Sequence, residues 1–167
     1  MSSRQERFGK ASGWVEVVAD FQSGTSGAAV STAVVEAGRY LRSDCVVVSD
    51  LVPDENLRQG QEVAHLEELS RMAKAIGHVP QLEWGDFFFF RQPTEARAAL
   101  AGCRWVRPFV VPWYVYWISK ASLVLRCVDS TYMYYYGTDM ETRAWVRHQM
   151  HPSESKEGNL GDLGFPR

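Results

Sequence analysis

Asp86 stands two residues after Trp84 and immediately before four phenylalanines, Phe87 to Phe90. On a strand it shares a face with Trp84 and Phe88. A carboxylate among large rings has a raised pKa unless a charged partner reaches it, and carboxylates in such settings gather at functional sites. An aromatic pocket around Trp84 and Asp86, holding a small ligand or a substrate, is therefore one expectation. Gly85 supplies the bland alternative, a bulge that turns Asp86 to solvent.

The second group able to do chemistry is basic and aromatic. Arg104 and Arg107 flank Trp105-Val106; Trp113, Tyr114, Tyr116 and Trp117 follow, then Arg126, then Tyr132, Tyr134 and Tyr136 in alternation. Arginine beside rings suits cation–π contacts, base stacking and protein hot spots. Alternating tyrosines put apolar area with polar tips on one strand face, which suits a recognition strip and, where each hydroxyl finds a partner, equally a place in the core. Fifteen of the twenty-one aromatic rings lie between Trp84 and Tyr136. The charge is equally uneven. Residues 44–86 hold nine acids against three bases, and residues 87–128 hold six bases against Glu95 alone, so a net charge of -2 hides two opposed stretches. Mutual neutralisation within the fold is the simplest use of such stretches; a charged recognition face is the other.

Weaker signals surround these. Ser23-Gly24-Thr25-Ser26-Gly27 ahead of a helix has the order of a phosphate loop, but neither the Walker nor the dinucleotide glycine pattern follows. His148 and His151 are three apart, with Pro152 after them and no acidic or cysteine ligand alongside. Cys45, Cys103 and Cys127 are isolated and odd in number, which gives neither a disulfide framework nor a metal spacing and implies buried free thiols. Asp129, before Ser130, reads as a turn residue. No catalytic residue, cofactor or metal is expected from these patterns.

The elements that position these groups follow from periodicity. Val15, Val17, Ala19 and Phe21 alternate as a strand. Val30, Val34, Ala37 and Leu41 form the stripe of a helix over residues 27–42. Cys45 to Val48 reads as a buried strand, and Leu66, Leu69, Ala73 and Ile76 predict a helix over 61–76 closed by Gly77. A central strand is predicted over 81–90, since phenylalanines on both sides require cover on both faces. Pro93 opens an alanine-rich helix. Pro108 and Pro112 exclude a central strand before Tyr114, so strands are predicted at 114–118, 123–128 and 131–136. Thr138 to Glu141 form a capping box for a last helix. The sum is one α+β domain over 1–151, with a mixed or antiparallel sheet flanked by helices. Residues 1–12 are expected to fray, and 152–167 to form a flexible tail.

At 167 residues, with 46% apolar and 23% charged content, wholesale disorder is excluded. The longest apolar run, Phe109 to Ile118, is half of what a spanning helix needs, so no membrane partner is expected. The start of the chain lacks a secretory apolar stretch, which makes the cytoplasm the default. These features favour a non-enzymatic protein that binds another protein through an aromatic, arginine-rich sheet surface, of the immunity or inhibitor kind. A small enzyme or ligand-binding domain is the alternative. Single-stranded nucleic-acid binding through Arg104, Arg107, Trp113 and Trp117 is the third, and a pI near 6.1 weighs against it.

Overall fold

The valines that follow Gly13 extend the chain as β-branched residues do, and β1 runs over Ser12–Ala19. A computed structural model describes residues 11–19, 26–52, 64–103, 117–128 and 132–163. Helix α1 covers Gly27–Leu41, and the Ser26 hydroxyl caps it by accepting from the Ala29 amide at 3.2 Å. Strand β2 (Cys45–Val52), β3 (His65–Glu68) and α2 (Leu69–Gly77) follow, then β4 (Trp84–Phe89) and α3 (Pro93–Cys103). A helical turn at residues 117–120 leads into β5 (Leu123–Val128) and β6 (Tyr132–Gly137). Helix α4 (Met140–Met150) and β7 (Glu154–Asn159) complete the described chain.

The seven strands form one sheet, in the order β3-β2-β4-β5-β6-β1-β7, and every neighbouring pair is antiparallel. The architecture is α+β. Alternation divides the strands between two apolar layers. On one face α1, α2 and α4 pack Val30, Val34, Ile76 and Val146 against Val46, Phe87, Phe89, Leu125 and Tyr135. On the other, α3 and the 117–120 turn place Ala96, Ala99, Trp117 and Ile118 over Val47, Phe88, Val124 and Tyr136. Phe87 to Phe90 are at most 1% exposed, which is what phenylalanine on both sides of a central strand demands. No described helix is long and apolar enough to cross a membrane.

Three elements differ from the sequence expectation. The helix predicted over 61–76 begins only at Leu69, because His65 to Glu68 pair with β2 as an edge strand. Backbone pairing there outweighs the helical spacing of Leu66. Trp117 and Ile118 belong to a helical turn, not a strand. Residues 154–159, expected within a flexible tail, are β7, paired along β1 from Ser12↔Asn159 to Val17↔Glu154. β7 carries no apolar residue of its own, but Leu160 directly after it is fully buried in the layer that holds Val15 and Val17, and its amide donates to the Ala11 carbonyl at 2.8 Å. A buried ionic network adds to this: Glu16 is fully buried, and its Oε1 accepts from Arg143 Nε at 2.6 Å, Arg147 Nε at 2.8 Å and the Ser155 hydroxyl at 2.7 Å. Arg143 also binds Glu157 of β7. The charges on exposed β7 blunt its open edge against further pairing.

The last helix is capped one residue later than the capping box predicts. Asp139 accepts from the Thr142 amide at 2.8 Å and from its hydroxyl at 2.7 Å. These hydrogen bonds hold the Asp139 carboxyl below its ordinary range. A depressed folded pKa contributes stability that is complete above the unfolded value, about 3.9, and is lost as pH falls through the folded one. Asp139→Ala is expected to cost about 1 kcal/mol near neutral pH. The gap between variant and wild-type urea midpoints should close below about pH 4; a gap that stays constant with pH would show that Asp139 does not act as an ionised cap.

Candidate functional site

Antiparallel register carries the face beneath α3 across the sheet in rows. The row nearest α3 is apolar: Val47, Phe88, Val124, Tyr136 and Val15 stand side by side. The next row is polar: Ser49, Asp86, Arg126 and Tyr134, followed by Val17. The third row brings Trp84, Val128 and Tyr132 to the rim. Three separate strands therefore converge Trp84, Asp86, Arg126, Tyr132 and Tyr134 on one patch, although up to 50 positions separate them in sequence.

Asp86 is 1% exposed and Arg126 is 5% exposed. Arg126 Nε lies 3.2 Å from Asp86 Oδ1, and the guanidinium carbon sits 5.1 Å from the centre of the Trp84 ring. The arginine is thus fixed by a carboxylate and an indole, with stacking and charge acting together. β4 keeps regular register with β5 from Trp84 to Phe89; the register shift opposite Gly85 falls on β2, between Ser49 and Val52, and Asp86 stays buried, so the solvent-facing alternative for Asp86 is overturned. Beside the pair, the rings of Tyr132, Tyr134 and Tyr136 form a ladder at 6.2 Å steps. Exposure rises along it towards the rim. Tyr136 is buried, Tyr134 is half-buried and Tyr132 is 38% exposed. Burial pushes the Tyr134 and Tyr136 hydroxyls up from their ordinary range. They are neutral at physiological pH and can donate as well as accept.

The Arg126 cation faces the Asp86 carboxylate, and the Tyr134 and Tyr136 hydroxyls beside it are neutral. Cys127, one residue after Arg126, faces the α1 layer, and burial pushes its thiol up. Cys45 is half-buried and also raised, chiefly by burial. Among the described residues no cluster of three histidine, cysteine or carboxylate side chains could hold a metal. His148 and His151 are both exposed at the end of α4.

Of the residues singled out in sequence, Trp84, Asp86, Arg126, Tyr132 and Tyr134 come together. Trp117 does not join them as a surface residue: it is 1% exposed and packs against Phe88 at 5.1 Å. Its ring closes the core under α3, where large apolar area is worth most. Arg104, Arg107, Trp113, Tyr114 and Tyr116 lie outside the described residues. Ser49 and Tyr136 were not singled out as site residues. Tyr136 carried a signal in the tyrosine alternation; Ser49 carried none, because only strand pairing places it beside Asp86.

No protein-family model, no curated protein and no solved structure matches this chain.

Proposed function

We propose that the chain is a non-enzymatic binding protein of the cytoplasm that engages another protein through the Trp84–Arg126–Tyr132–Tyr134 patch, in the manner of an inhibitor or immunity protein. The observation that carries this is the exposure gradient over a fixed arginine. Tyr132 is one of two large apolar side chains exposed among the described residues; the other, Met140, lies past the far end of β6. A rim tyrosine, a half-buried tyrosine and tryptophan, and an immobilised arginine are the residue types that dominate interface hot spots. Their rings and their cation are ordered before any partner arrives, which lowers the entropy cost of association.

A second reading has one observation in its favour. A buried ion pair in the sheet, flanked by Trp84, also suits the floor of a small-ligand pocket.

The experiment compares capture from native lysate by the wild-type chain, Tyr132→Ser, Trp84→Ala and the control Met140→Gln. The expected result is a protein held by wild type and Met140→Gln and lost by both patch variants. A protein held equally by all four would overturn the proposal, and so would saturable binding of a small molecule that Trp84→Ala abolishes while no protein is captured.

A further inference from the structure

At the other end of the strands, where β2 begins and β3 and β4 finish, lies a cavity of about 770 Å³. Three arginines line it from different parts of the chain: Arg39 in the last turn of α1, Arg42 just beyond it, and Arg91 between β4 and α3. None makes an ion pair within 4 Å among the described residues, whereas Arg71, Arg126, Arg143 and Arg147 all do. Arg42 adopts the left-handed conformation, φ 54°, at the position where helices prefer glycine. Its amide closes α1 on the Arg39 carbonyl, which fixes where its side chain departs.

We infer that this cavity is a binding site for a phosphate monoester of a small polyhydroxy molecule. Guanidinium groups with no ion-pair partner within 4 Å among the described residues offer forked donors that match the oxygens of a tetrahedral dianion. The volume is several times what a phosphate needs and falls within the range of small-molecule sites. The remaining wall supplies both kinds of contact an organic body requires. Val35, Leu69 and Pro93 are apolar, and Asp44 and Glu68 are acceptors suited to hydroxyl groups. Glu68 already accepts from the Ser70 hydroxyl. The carboxylates also discriminate: they repel a bare polyanion while favouring a ligand that is anionic at one end and hydroxylated at the other. The site stands apart from the Tyr132 patch, at the opposite end of the sheet, so its test is independent of the protein-binding proposal.

Calorimetric titration of the full chain with glucose 6-phosphate, adenosine monophosphate, inorganic phosphate and glucose tests it. At least one monoester should bind with a Kd below about 1 mM, at least about tenfold tighter than inorganic phosphate, and glucose should not bind. Which monoester binds tells a sugar phosphate from a nucleotide. Arg39→Gln and Arg91→Gln, both at exposed positions, should each weaken binding about tenfold, about 1.4 kcal/mol, with unchanged circular dichroism. Absence of binding by both monoesters would overturn the inference. Equal affinity for inorganic phosphate, or affinity indifferent to both glutamines, would do so too.

Discussion

Arg143→Ala is expected to lower the unfolding free energy by about 3–5 kcal/mol, the cost of leaving a buried charge without its partner. The stranded charge is Glu16, whose side chain is 0% exposed while that of Arg143 is 4% exposed. Wild-type Glu16 has three donors on one oxygen. After the substitution it keeps only the Ser155 hydroxyl and Arg147, whose side chain is 48% exposed and therefore screened by water. Strand β7 loses more than a charge, because Arg143 also donates to Ser155 at 3.1 Å and binds Glu157. For a chain of this size the loss corresponds to a fall in Tm of roughly 6–20 °C. Arg147→Ala serves as the comparison and should cost no more than about 1 kcal/mol. Urea unfolding measures both. Equal costs for the two alanines would show that burial of the Glu16–Arg143 pair does not hold β7 to β1.

Asp86→Ala should be nearly as damaging, again about 3–5 kcal/mol, since it removes the buried carboxylate that lies 3.2 Å from Arg126 Nε beneath Trp84. The informative variant is the double one, Asp86→Leu with Arg126→Met. Replacing both members of a buried pair by apolar residues of similar volume is commonly neutral or stabilising, so the double variant should recover most of the loss. Recovery separates two roles that either single substitution confounds. If the pair serves stability alone, the apolar double variant keeps every property of the wild type. If the pair serves recognition, the double variant folds with near-native stability and still fails to bind, because Trp84 and Tyr134 no longer frame an arginine. A double variant as unstable as Asp86→Ala alone would contradict this, and would place the pair among the determinants of folding.

The local features of this fold were legible in the sequence, and the long-range pairings were not. The phenylalanines after Asp86 announced a strand covered on both faces, and Val30 to Leu41 announced α1, because each pattern is complete within a few residues. Residues 61–76 misled for a physical reason. The helical spacing of Leu66, Leu69, Ala73 and Ile76 is real, but the first of these lies where β2 offers an unpaired edge, and Val47↔Leu66 pairing captures it. Strand β7 was hidden more thoroughly. Glu154-Ser155-Lys156-Glu157-Gly158-Asn159 has the composition of a solvated tail, and the groups that hold it, Glu16, Arg143 and the buried Leu160, meet only once β7 pairs with β1, more than a hundred residues away in sequence. The candidate site shows the same division. Alternation put Asp86 with Trp84, and Tyr132 with Tyr134, on faces of their own strands. That the two faces are one, with Arg126 between them, depends on the β4-β5-β6 register. Trp117 was misassigned because sequence spacing does not tell a ring on the surface from one sealing a core.

The most direct test of the protein-binding proposal is the dissociation constant of the captured partner for wild type, Tyr132→Ser and the Asp86→Leu/Arg126→Met double variant, each first shown to be folded by its urea midpoint. The prediction is a weakening of at least about tenfold for Tyr132→Ser, and about a hundredfold or more for the double variant, as expected of hot-spot positions. Dissociation constants that agree within about twofold across all three proteins would contradict it and place the binding surface elsewhere on the molecule.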